Sequence, residues 1–93
     1  MKAIWNEEVI AESNDTIIIE GNHYFPPETI NPDFFKSSDN HTNCPWKGLA
    51  SYCDIEVNGN TNKDAAWYYP EVSELAKGIK DYVAFWNGVE VVE

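Results

Sequence analysis

Cys44-Pro45-Trp46-Lys47-Gly48-Leu49-Ala50-Ser51-Tyr52 brings a thiol, a large aromatic, a lysine and a turn glycine together at the mouth of a strand. From Gly48 onward the residues alternate. Leu49, Ser51, Cys53, Ile55 and Val57 fall on one face, while Ala50, Tyr52, Asp54 and Glu56 fall on the other. The first set reads as the core face, which makes Cys53 a buried structural thiol. Asn58-Gly59 ends this strand, the longest expected, and Asn60 to Asp64 reads as a surface loop.

Upstream, the chain reads as short antiparallel strands. Lys2 to Trp5 is turned back by Asn6-Glu7, and Glu8 to Ser13 alternates like a half-exposed strand. Asn14-Asp15 supplies turn chemistry, and the β-branched run Thr16 to Glu20 reads as a strand covered on both faces. Gly21-Asn22 turns the chain into His23-Tyr24-Phe25, and Pro26-Pro27 stops the pairing. Asn31 followed by Pro32 predicts one helical turn, with Phe34 and Phe35 closing an end of the core. Ser37 to Asn40 is expected to be a mobile polar loop leading into the Cys44 stretch.

Downstream, Ala65 to Tyr69 forms a strand halted by Pro70, and Glu71 to Ile79 is the best helix candidate. Tyr82 to Trp86 and Val89 to Val92, joined by Asn87-Gly88, predict a hairpin with a type I′ turn. The expected fold is therefore mainly β: seven or eight short antiparallel strands in a coiled or rolled sheet, with one or two short helices.

The 93 residues leave room for one domain, 1–93, and 43% hydrophobic residues with 14% aromatics provide for a packed core. No apolar run reaches the roughly 18 residues of a membrane-spanning helix. The N-terminal Met1 to Glu8 turns acidic too early for a signal peptide, so a cytoplasmic address with free thiols is expected. Sixteen acidic residues face six lysines and no arginine, for a net charge of −10. Such a surface repels phosphate backbones and lacks the best bidentate phosphate ligand, which disfavours nucleic acid as a partner.

Three motifs taken in order, Cys44-Pro45-Trp46-Lys47-Gly48-x-Ala50-x-Tyr52, Ala65-Ala66-Trp67-x-Tyr69 and Tyr82-Val83-Ala84-Phe85-Trp86, resemble the family of domain of unknown function 427. Val9 to Ser13 and Tyr24-Phe25-Pro26 extend the resemblance over nearly the whole chain. The resemblance implies a small β-tent-like domain of unestablished activity; some collections label the family nucleotidyltransferase-like. The residues argue against that label. Asp54 and Glu56 place two carboxylates on one strand face, yet no Gly-Ser phosphate cradle precedes them and no third carboxylate is evident.

The chemistry-bearing residues gather around Lys47. Cys44 is a candidate nucleophile or redox thiol, with Lys47 favouring the thiolate and His41 as a base; equally, Cys44 can simply pack under Trp46. Lys47 offers a charge to an anion and Gly48 allows close approach, or Lys47 merely covers Trp46. Tyr52, Trp67 and Tyr69 line either one cleft or the core, with Tyr52 supplying a hydroxyl to any reaction. Trp5 and Trp86 are assigned to packing. Cys44, Cys53, His23 and His41 match no zinc spacing, so neither a metal nor a cofactor is expected.

Two functions follow as expectations. One is a small-ligand site, anionic if Lys47 is used and catalytic if Cys44, Lys47 and Tyr52 act together. The other is a non-catalytic interaction module or homo-oligomer using an exposed aromatic patch.

Overall fold

Three dipeptides with left-handed backbone organise the chain into tight antiparallel pairs. Asn6 and Glu7 (φ 51° and 67°), Glu20 and Gly21 (55° and 81°), and Asn58 and Gly59 (52° and 81°) take the signs a type I′ turn needs. In the computed structural model, which describes residues 1–93, they join β1 (Lys2–Trp5) to β2 (Glu8–Glu12), β3 (Ile17–Ile19) to β4 (Asn22–Tyr24), and β6 (Gly48–Val57) to β7 (Asn60–Tyr68). The remaining strands are β5 (Phe35–Cys44), β8 (Val83–Phe85) and β9 (Glu90–Val92). The nine strands form three antiparallel sheets, ordered β2-β1-β9, β3-β4 and β5-β6-β7-β8.

The four-stranded sheet is the frame. Phe25 and Val83 exchange backbone hydrogen bonds of 2.8 and 2.9 Å, which brings the β3–β4 ribbon alongside β8. Side-chain alternation then separates two cores. On one face Ile55, Val57, Ala66, Val83 and Phe85 pack with Ala3, Ile10 and Ala11 of the β2-β1-β9 sheet. On the other, Ala50, Tyr69 and Ala84 pack with Tyr24, and Ile17, Ile19, Cys44, Trp46 and Trp67 join them. Residues from both lateral ends of the strand series thus share the second core, so the sheet is rolled.

The mainly β, rolled architecture agrees with the sequence reading, while several elements differ. Ser37 to Asn40 lies within the ten-residue edge strand β5, not in a loop, at an irregularity where the pairing with β6 steps from Ser37–Cys53 to His41–Ser51; an edge strand tolerates polar side chains. Asn60 to Asp64 belongs to β7, where Asn60 to Asn62 pair with β6 and the β8 pairing reaches only as far as Ala66, and Asn58-Gly59 is a hairpin turn. Asn87 and Gly88 do adopt positive φ (56° and 94°), but β8 pairs with β7 and β9 with β1, so the turn carries the chain between sheets.

The segment 71–79 is helical only from Glu74 to Ile79, as a 3-10 helix. Bonds such as Ala76 N–H to Ser73 O (3.0 Å) close it three residues apart, as befits a piece too short to nucleate an α-helix. Asn31 caps the expected turn over Pro32–Phe34 by accepting from the Asp33 N–H. Ile18 is 62% exposed, since a two-stranded ribbon covers only one face of β3. Leu49 is exposed and Cys53 only half-buried: the two cores occupy different stretches of β6, and its pairing with β7 jumps from Cys53–Ala66 to Ile55–Asn62.

The Lys47–Gly48 corner is held by the segment after Pro70. Ser73 N–H donates to Lys47 O at 3.2 Å, its hydroxyl donates to Trp46 O, and Gly48 bridges Val72. Gly48 has φ 123°, and a Cβ there would lie 2.6 Å from the Glu71 carbonyl oxygen. That carbonyl is backbone and cannot swing aside. Gly48→Ala should therefore cost about 3 kcal/mol in urea unfolding, against about 1 kcal/mol for Gly21→Ala, whose added Cβ meets open space.

Candidate functional site

Lys47 enters the molecule at the β5–β6 corner, where Gly48 and the Ser73 bonds hold the backbone. Its side chain is directed inward and the residue is only 5% exposed, unusual for a lysine. The ammonium is hydrogen-bonded to the carboxylate of Glu20, in the β3–β4 turn. It also stands 5.1 Å from the centroid of the Trp46 ring and 5.7 Å from that of Tyr69. A buried ammonium needs such compensation. Burial pulls the Lys47 pKa down; the Glu20 hydrogen bond, with Tyr24, Tyr69 and Cys44 nearby, outweighs it, and the net shift is upward. Lys47 is thus a fixed cation at neutral pH.

Beside it opens a cleft of about 210 Å³ lined by Asn22, Tyr24, Lys47, Tyr52, Trp67, Tyr69 and Trp86. Trp67 is its centre. Tyr24 meets it nearly edge-on (centroids 6.3 Å apart, planes at 88°), as does Trp86 (6.3 Å, 86°), while Tyr52 is tilted across it at 6.5 Å. The Trp67 indole N–H donates to the Tyr24 hydroxyl at 3.3 Å, and the Trp86 indole N–H donates to Asp64 O. Tyr52 Oη lies 3.1 Å from Thr42 Oγ1. The Tyr69 hydroxyl has no hydrogen-bond partner in the protein, although the residue is only 5% exposed. No fully buried side-chain polar atom lacks a partner, so this hydroxyl reaches accessible space, which the cleft supplies. Burial, opposed by Lys47, pushes the Tyr69 pKa up to about 12, so it remains a neutral donor.

Five of the residues singled out from sequence converge here. Lys47, Tyr52, Trp67 and Tyr69 line the cleft, and Gly48 sets the corner that aims Lys47. Cys44 pairs with Gly48 and packs in the core beneath, close enough to Lys47 and Tyr69 to influence both, but it is not a lining residue. His41 does not join. It lies one residue from Thr42, on the opposite face of β5, with Nδ1 3.3 Å from Ser51 Oγ.

Trp86, assigned from sequence to packing, is 52% exposed and forms a wall of the cleft. Tyr24, Asn22 and Glu20 have no sequence signal that joins them to Lys47; only the folding-over of the β3–β4 ribbon does. Cys53 lies away from the cleft, its thiol pushed up by burial and by Asp54. No set of three or more His, Cys, Asp and Glu side chains converges as a metal site. Asp54 accepts from the Asp64 N–H at 2.9 Å, a structural use, and Glu56 stands 4.0 Å from Lys36. No helix is long and apolar enough to cross a membrane.

Fold and cleft together define a small antiparallel β domain with a buried lysine facing an aromatic-walled pocket. The family model described as domain of unknown function (DUF427) matches residues 1–93, and the chain belongs to that family. No curated protein matches the chain.

Both raised groups act in the same direction on stability. Tyr69 and Lys47 hold their protons more tightly folded than unfolded, so their contribution is complete below pH 10 and declines as pH rises toward 12. For Tyr69 the loss is on the order of 2 kcal/mol. Urea titrations from pH 9 to 12 should show stability falling, and Tyr69→Phe should flatten much of that slope while costing under about 1 kcal/mol at pH 7.

Proposed function

We propose that this chain is a small-ligand-binding domain, its ligand held in the Lys47 cleft by an anionic or hydrogen-bond-accepting group. The observation that carries the reading is a lysine only 5% exposed whose side chain lines an aromatic cleft, together with a tyrosine hydroxyl there that has no partner in the protein. Apolar walls with a few convergent polar groups are the ordinary make-up of a small-molecule site. Binding fits the chemistry better than catalysis. Lys47 is held cationic and is no nucleophile or base at neutral pH, the Tyr52 hydroxyl is engaged by Thr42, and Cys44 lies outside the lining with His41 on the other face of its strand.

An interaction surface is less well supported. The exposed large apolar residues Val9, Ile18, Leu49, Leu75, Trp86 and Val92 come from six different segments, so no single element presents an apolar face. Two free cysteines suit a reducing compartment, which favours a cytoplasmic address, and a net charge of −10 without arginine weighs against nucleic acid.

Screening small carboxylates and phosphates by NMR on the Trp indole N–H resonances tests the reading. Hits should shift Trp67 and Trp86 saturably, and Lys47→Met should weaken them at least tenfold while the protein stays folded. Shifts indifferent to Lys47→Met, or confined to Trp5, would overturn it.

A further inference from the structure

Resting on the ligand-site reading above, we infer that the ligand is a small flat aromatic monoanion, an aryl or heteroaryl carboxylate of one or two rings. Its ring would lie against Trp67 and Trp86, and its carboxylate would take over the contact with Lys47 Nζ that Glu20, which is not itself a lining residue, now makes.

Size comes first. A cleft of about 210 Å³ is smaller than the roughly 300–1,000 Å³ typical of drug-sized ligands, which limits the occupant to one or two rings. Shape is set by the walls. Four of the lining residues, Tyr24, Tyr52, Trp67 and Trp86, surround the cleft with π faces and edges, and Trp86 keeps half its surface free. Aromatic rings gain on such walls beyond simple area burial.

Charge follows from the donors. Lys47 is the one cation of the lining, and the chain holds no arginine to clamp a dianion, so a monoanion matches where a phosphate does not. The Tyr69 hydroxyl, protonated and unpartnered, adds a second donor to the cleft, on a ring whose centroid lies 5.7 Å from the ammonium. A carboxylate accepts from both.

Glu20 identifies the functional group. It projects from a tight turn with φ 55°, its side chain stays 55% exposed, and it places a carboxylate on an ammonium that is itself buried. An exposed side chain on a hairpin tip is readily displaced, because leaving for water costs it little. Glu20 thus acts as the resident competitor, occupying the ammonium until a ligand carboxylate with the added gain of ring stacking replaces it.

The test titrates the full chain with indole-3-carboxylate and benzoate, following the Trp indole N–H resonances. Cyclohexanecarboxylate (anion without aromatic ring), benzyl alcohol (ring without anion) and benzyltrimethylammonium (ring with cation) serve as comparisons. The aromatic carboxylates should bind at least tenfold more tightly than all three. Glu20→Gln, which removes the carboxylate from Lys47 while keeping the side chain's shape, should tighten them three- to tenfold in protein shown by its NMR spectrum to stay folded, and Tyr69→Phe should weaken them about tenfold.

Equal binding of cyclohexanecarboxylate would overturn the aromatic class while leaving a carboxylate site intact. Tighter binding of benzyltrimethylammonium would overturn the anion assignment, and a Glu20→Gln variant with unchanged or weaker affinity would overturn the displacement. If no probe moves Trp67 or Trp86, and the screen for small anions also fails, the ligand-site reading falls as well.

Discussion

The structure turns on one buried charge. Lys47 is carried into the second core by the β5–β6 corner and meets there a carboxylate from the β3–β4 turn, residues brought together across the rolled sheet. An unpaired ammonium in that position would cost several kcal/mol, so the roll is favoured in the arrangement that delivers Glu20 and the Trp46 and Tyr69 rings to it. The contact works as a specifying interaction more than a stabilising one. Glu20 is half-exposed and its pairing energy is modest, but any other placement of the ribbon leaves Lys47 without a counter-charge.

Two devices keep that charge in place. Gly48 accepts the close approach of the Glu71 carbonyl, and Ser73 bonds both Trp46 and Lys47 through their carbonyl oxygens. The segment after Pro70 is thus a clamp on the Lys47 corner, and its 3-10 helix contributes Ala76 and Ile79 to the core against which the lysine packs. Cys44 has its own place in this account. Paired with Gly48 and packed in the same core, it supports the corner from below, a structural place for a half-buried thiol.

The aromatic residues divide by partner. Phe25, Phe35 and Phe85 meet edge-on or tilted within the first core. Tyr24, Tyr52, Tyr69, Trp67 and Trp86 carry polar handles and gather around the cleft, where hydroxyls and indole N–H groups find Thr42, Tyr24 and Asp64. Edge-to-face packing around Trp67 sets large rings at right angles, and rings so arranged leave a gap that parallel stacking would close. The cleft opens among these rings, and the proposed ligand fills what the side chains do not.

What the amino-acid sequence determined by itself was local. Asn-Gly and Asn-Glu pairs select left-handed turns, alternation selects strands, Asn31-Pro32 starts a 3-10 turn, and the density of β-branched and aromatic residues selects a mainly β fold. Lys47, Gly48, Tyr52, Trp67 and Tyr69 were legible as a group because they sit on or beside two adjoining strands, β6 and β7. The tertiary structure alone decided the rest. A polar edge strand such as β5 reads as a loop, since backbone pairing leaves no mark on side-chain pattern, and Asn87-Gly88 fixes a turn without saying which strands it joins. Tyr24, 43 residues from Trp67, and Glu20, 27 from Lys47, reach the cleft through the roll. Periodicity reports only which face of its own strand a residue occupies. Which distant face it meets is set by the joint burial of two cores and one ammonium, a condition on the whole chain at once.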